Sequence, residues 1–165
     1  MNYFTDPELT ARRQQGKHYK FSADFPEVTW AEVLRCLDYS VKLDRPVRTM
    51  PNFGIVVHDL RASKSLALVL DEFALLDPEA RATGHLYLSL TSKAETIGWH
   101  SDTCDVIYWQ AIGVTEFAVE DNGIVRYTLQ PGDAIYIPKG MMHDTKPMGP
   151  RCGVSMGLEK IQKTQ

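Results

Sequence analysis

The second half of the chain is made of short runs that suit strands and little else. "HLYLSLT" alternates in polarity from His85. "DVIYWQAIG", "VTEFAVE", "IVRYTLQ", "AIYIP" and "RCGVSMGLE" are rich in β-branched and aromatic residues. Asp121-Asn122-Gly123 lies between two of these runs and signals a tight hairpin. Pro131-Gly132-Asp133 marks the next turn. Strands this closely spaced, joined by such turns, predict an antiparallel sandwich or barrel.

The first half reads mainly helical. "TDPELTARRQQ" offers Thr5 or Asp6 as a cap and Pro7 in the first turn. Thr29 and Glu32 stand at capping-box spacing, and Trp30, Val33, Leu34 and Leu37 follow as one apolar face. Leu66, Val69, Leu70 and Phe73 repeat that pattern, and "GIVVH" at 54–58 reads as a strand. These stripes are core packing. At 165 residues we expect a single mainly β domain over 1–165. Its helical N-terminal part, 1–84, packs on the outside of a β core at 85–159.

A formal net charge of -3 argues against general nucleic-acid affinity. The cysteines, Cys36, Cys104 and Cys152, are far apart and form no C-x-x-C, so neither a zinc ribbon nor a disulfide framework is expected. "MNYFTDPELTARRQQ" has no apolar signal region, and no run is long enough to span a membrane. A cytoplasmic protein is the default expectation.

Two segments carry chemistry. His100-Ser101-Asp102 is the only place where a histidine is followed two residues later by a carboxylate. With 5 histidines and 21 acidic residues such a triplet arises by chance roughly half the time, so alone it decides nothing. The second segment, "PGDAIYIPKGMMH", places Gly132, Pro138 and Gly140 before His143. Gly132 allows the turn into a strand, Pro138 can end that strand, and Gly140 permits a sharp reversal, after which His143 opens the returning strand.

The Gly132–His143 segment resembles the second motif of the cupin superfamily. The first segment resembles the variant found in JmjC-type and ribosomal-oxygenase-like hydroxylases, H-x-D-x-x-D-V-x-x-x-Q-x-x-G. His100, Asp102, Asp105, Val106, Gln110 and Gly113 stand at those places. The resemblance covers roughly residues 85–159 and implies a double-stranded β-helix (a jelly roll) with a metal at one open end. It implies that His100, Asp102 and His143 form a facial triad for non-haem Fe(II), a ligand set that leaves positions open. His100 and Asp102, at i and i+2 of a strand, would point the same way. The implied activity is a 2-oxoglutarate-dependent oxygenase that hydroxylates a C–H bond and releases succinate and CO2.

The far carboxylate of 2-oxoglutarate calls for a cation. JmjC-type hydroxylases usually supply a Lys or Arg at the position held here by Thr115, which can donate one hydrogen bond but cannot neutralise a charge. Other branches use an Arg on the last strand. Arg151 lies near that place, with Gly153 where a Ser often follows, and Tyr87 could add a hydroxyl. Thr115, Tyr87 and Arg151 are therefore the candidate co-substrate residues, against surface or core roles. With Thr115 in that place, a metal cupin that does not use 2-oxoglutarate (a direct dioxygenase or an isomerase) stays open, as does a non-enzymatic small-ligand cupin.

The other chemistry-bearing residues have plainer readings. His58 and His85 sit at strand edges as structural residues, and His18 lies in a solvated loop. Cys104 borders the pocket or is a buried small hydrophobe. Trp99 and Trp109 wall the metal site or belong to the core. Asp105 orients a metal ligand or starts a strand. The substrate is a protein side chain or a small molecule. Dimerisation through the N-terminal helices is compatible with the sequence, with no direct sign of it.

Overall fold

The second-half runs form strands, and those inside the larger sheet are covered on both faces. β5 (Asp105–Ile112) shows how. Val106 and Tyr108 point into the barrel with Phe117, Val119, Leu129, Ile135 and Ile137. Ile107 and Trp109, one residue out of phase, join a second core shared with the helices. A strand with apolar cover on both sides reads as a nearly continuous apolar run rather than an alternating one.

The computed structural model describes residues 3–160; residues 1–2 and 161–165, the ends of the expected domain, lie outside the described residues. The remaining strands are β1 (Tyr19–Ser22), β2 (Val47–Met50), β3 (Gly54–Val57), β4 (Ala80–Ser89), β6 (Thr115–Glu120), β7 (Ile124–Leu129), β8 (Asp133–Ile137), β9 (His143–Pro147) and β10 (Arg151–Lys160). They form two antiparallel sheets, β1-β8-β5-β10-β4-β3-β2 and β7-β6-β9. In the larger sheet β10 is flanked by β4 and β5, with Gly153 opposite both Tyr87 and Gln110. Asn122 and Gly123 take positive φ in the β6–β7 hairpin, as the Asp-Asn-Gly signal requires.

Three helices pack outside. α1 (Pro7–Gln15) is capped by Asp6, whose carboxylate accepts from the Glu8 N–H at 2.8 Å, and it ends on left-handed Gly16. α2 (Trp30–Lys42) carries the expected capping box between Thr29 and Glu32. α3 (Lys64–Ala74) buries Leu66, Val69, Leu70 and Phe73, the stripe its spacing predicts. Among the described residues no helix is long and apolar enough to cross a membrane.

Two differences from the sequence pattern concern the first half. Of the apolar stripe expected on α2, Val33 is buried and Trp30 and Leu37 pack against the core, yet Leu34 is 54% exposed and Cys36 and Ser40 are buried instead. The helix is rolled toward its small side chains, which let it lie close to β2 and β3. The stretch 1–84 is also less helical than expected. β1 and β2 are the two edges of the larger sheet, and β4 begins at Ala80, so the line drawn at 84/85 falls inside a strand. Edge strands of four residues need little apolar content, which is why "YKFS" and "VRTM" give weak signals.

The rolled helix has a measurable consequence. Leu66→Ala should cost about 2–5 kcal/mol in urea unfolding, as for a buried leucine. Leu34→Ala should stay within about 0.5 kcal/mol, as for an exposed site.

Candidate metal centre

Pro138 follows the end of β8, Gly140 reverses the chain at φ 82°, and His143 opens β9. His143 is tied directly to His100. The His100 N–H donates to the His143 carbonyl at 3.0 Å, and the His143 N–H donates back at 2.8 Å. These mutual bonds hold the two imidazoles together, with ring centroids 4.3 Å apart. Phe117 stacks on the His143 ring at 5.7 Å and limits its rotation.

Asp102 does not lie on a strand with His100, as the i, i+2 reading expects. It stands on irregular chain before β5. Its position is set from the β8–β9 turn, where the Gly140 N–H donates to the Asp102 carbonyl at 3.0 Å. Asp105 holds the same turn, accepting from the Lys139 N–H at 2.9 Å and from the Tyr136 hydroxyl at 3.1 Å. Asp105 thus positions Asp102 through the turn and also begins β5.

His100, Asp102 and His143 each offer a ligand atom, and these atoms lie within 4.8 Å of one another. The Nδ1–H of His100 donates to the Gly98 carbonyl at 2.7 Å, and that of His143 to the Met141 carbonyl at 3.1 Å. Each bond sets the tautomer that leaves Nε2 with a free lone pair. Burial and then the neighbouring His100 push the His143 pKa below its ordinary value, against the Met141 carbonyl and Asp102. A neutral imidazole is the form that binds a metal. Two nitrogens and one carboxylate oxygen, with space beside them, fit a divalent iron-type centre with open positions.

That space is a narrow pocket between the two sheets, lined by the three candidate ligands and by Tyr87, Ile97, Val106, Tyr108, Phe117, Thr145 and Ser155. Burial, and then Asp102, push the Tyr87 phenol up to about 12, so it stays a neutral donor.

Behind this wall lies Arg151, 2% exposed. Its Nε donates to Ser89 Oγ at 3.1 Å, one Nη to the Tyr108 hydroxyl, and the other to Thr145 Oγ1 at 3.4 Å. No carboxylate among the described residues pairs with it. The Tyr108 hydroxyl passes its own proton to Gln110 Oε1 at 3.1 Å, and Gln110 donates to the Ile112 carbonyl at 2.7 Å. Gly113, at φ 73°, packs against the Arg151 backbone, where a Cβ would overlap the Pro150 carbonyl. Gly153 leaves room for the Tyr108 ring, which a Cβ there would overlap. Gln110, Gly113 and Gly153 therefore build the seat of Arg151.

The structure places the other candidates as follows. Thr115 opens β6, fully buried; its hydroxyl faces that of Tyr108 without a well-formed hydrogen bond. Trp109 does not wall the cavity: it alternates away from Tyr108 and stacks on Phe25 at 4.6 Å in the outer core. Trp99 stays exposed beside His100 and is not among the lining residues. Cys104 abuts Gly157, outside the cavity. His18 is not in a solvated loop. It bonds the Tyr127 hydroxyl at 2.8 Å and lies 3.3 Å from Asp121, fastening the chain before β1 to the β6–β7 hairpin.

No family model matches the chain, and no curated protein matches it in sequence. Solved structures do. The ycfD structure from E. coli has a TM-score of 0.76 at 16% identity, covering 99% of this chain and 56% of that one. A cupin superfamily protein from Desulfitobacterium hafniense has a TM-score of 0.50 at 13% identity, covering 84% and 98%. The chain has a cupin, JmjC-like fold. The E. coli ribosomal oxygenase YcfD has also been solved in complex with cobalt and 2-oxoglutarate. That structure has a TM-score of 0.77 at 16% identity and covers 98% and 54%. The chain thus spans about half the length of YcfD.

Within this cupin fold, Tyr108, Thr145, Ser89 and Ser155 escape the motif reading. Strand parity could find two of them. Tyr108 is two residues before Gln110 on β5, and Thr145 two after His143 on β9, so each shares a face with a motif residue. Ser89 and Ser155 give no local signal.

The role of Gly153 can be checked directly. Gly153→Ser should displace the Tyr108 ring and destabilise the protein by about 1–3 kcal/mol, as overpacking does. Thermal unfolding would measure this, with near-ultraviolet circular dichroism reporting the moved tyrosine.

Proposed function

We propose that the chain is a non-haem Fe(II), 2-oxoglutarate-dependent oxygenase acting as a hydroxylase. The observation that carries this reading is a pocket shared by the three-donor group and by the Tyr108 and Thr145 hydroxyls, behind which a guanidinium without a carboxylate is buried. A cation sealed in a protein interior is costly unless an anion reaches it. A 2-oxo acid with a second carboxylate is a ligand that can serve both ends.

In this reading His100, Asp102 and His143 hold the iron, which supplies the oxygen chemistry when bound. Thr145 and Tyr108 line the far end of the cavity. Arg151 donates to both hydroxyl oxygens, which leaves the Thr145 proton free to point at a carboxylate. The positive charge behind them offsets the cost of bringing a carboxylate out of water. Tyr87, kept neutral, is a third donor from β4. Phe117, Val106 and Ile97 keep the cavity apolar near the ligands and exclude water. The substrate is a protein side chain or a small molecule; YcfD, described as a ribosomal oxygenase, shares the fold.

One observation favours a second reading, a metal cupin that takes a directly chelating substrate. Arg151 does not itself line the cavity but stands behind Tyr108 and Thr145.

The two readings part on one spectrum. Anaerobic Fe(II) protein should develop a new visible charge-transfer band on addition of 2-oxoglutarate, with succinate forming once air is admitted. Asp102→Ala should abolish the band and weaken metal binding by more than about 100-fold, since outer partners alone are worth 10–100-fold. Tight iron binding with neither band nor succinate would sink the 2-oxoglutarate reading.

A further inference from the structure

Beyond Tyr87, the same face of β4 carries a second cluster of metal-competent groups. His85 lies two residues before Tyr87, so their side chains share a face of the strand. The β3–β4 register sets Val57 opposite Leu86, and the next residue, His58, then meets His85. The two Nδ1 atoms are 3.1 Å apart, with ring centroids 4.7 Å apart and ring planes at 77°.

These separations describe more than contact. Two imidazoles sharing one ion at a metal–nitrogen distance of ~2.1 Å hold their nitrogens ~3.4 Å apart at the tetrahedral angle and ~3.0 Å apart at a right angle, so a small shift of either ring would seat an ion between them. Here one Nδ1–H donates to the other ring's Nδ1, so both lone-pair positions face one point, and an ion would take the place of the shared proton.

The surroundings suit an ion. The pair borders a cleft with three arginines, of which Arg45 pairs with Asp59 and Arg61 with Asp71, while Arg81 lines the same cleft. Glu159 also lines the cleft, and its carboxylate acts on His85. Burial lowers the His85 pKa, which keeps a lone pair available near neutrality. His58 is exposed, so an ion has direct access.

We propose that His58 and His85 form a second metal site, open to solvent, for a divalent ion that prefers imidazole, such as Zn2+. The site shares no residue with the His100–Asp102–His143 group. It sits on the strand that carries Tyr87, with the His85 and Tyr87 ring centroids 6.5 Å apart, so an ion there adds positive charge beside the cavity.

Equilibrium dialysis of the full chain against Zn2+ tests this. Wild type should hold two ions per chain. His58→Ala, a change at an exposed position, should hold one, and His85→Gln should match it. The Asp102→Ala/His143→Ala double variant should also hold one, which His58→Ala should then remove. Equal counts for wild type and His58→Ala would overturn the proposal. If His58→Ala lowers the count and the double variant does not, this site stands and the triad reading fails instead.

Discussion

A guanidinium buried with hydroxyls for partners constrains this molecule more than any other single contact. Arg151 opens β10 with Ser89, Tyr108 and Thr145 around it, and no carboxylate of the described residues within the arrangement. Removing a charge from water costs several kcal/mol unless the surroundings replace what water supplied. Much of the local sequence answers that demand. Gln110 accepts the Tyr108 proton, which orients the phenol oxygen toward Arg151. Gly113 lets the chain press against the Arg151 backbone, and Gly153 opens the space that the Tyr108 ring fills.

The first motif therefore has two physical jobs. Its leading part, His100 and Asp102, supplies two of the three side chains that group with His143. Its trailing part, Gln110 and Gly113, seats a cation that comes from a different strand. The second motif links the two, because the turn at Gly140 holds Asp102 while His143 and Thr145 follow on β9. The larger sheet carries Arg151 and Tyr108, the smaller carries His143, Thr145 and Phe117, and the cavity lies between. In such a low-dielectric space a charge acts on a ligand more strongly than it would in water.

The strands of the second half were legible because each is a short apolar run bounded by a turn residue that the backbone requires, as at Gly132, Gly140 and Asn122-Gly123. The donor set was legible from motif resemblance, and the structure brings its three members together. What escaped has physical causes. β1 and β2 are four-residue edges with weak patterns. The roll of α2 depends on how closely Cys36 and Ser40 allow it to approach the sheet, which one helix cannot reveal. Trp109 was open to either face because β5 is covered on both. Arg151 looks like a turn residue in sequence, since only the pairing of β10 with β4 and β5 shows that it is enclosed.

The claim at the centre is that the charge of Arg151, acting through Tyr108 and Thr145, offsets the far carboxylate of a ligand held beside His100, Asp102 and His143. A cycle over protein and ligand tests it: 2-oxoglutarate and 2-oxopentanoate, which lacks that carboxylate, each titrated into Mn2+-loaded wild type and Arg151→Gln. Wild type should prefer 2-oxoglutarate by at least ~30-fold, the lower end of what a buried charge pair contributes, and Arg151→Gln should lose most of that preference. An equal preference in both proteins, with the fold of the variant intact, would contradict the pairing.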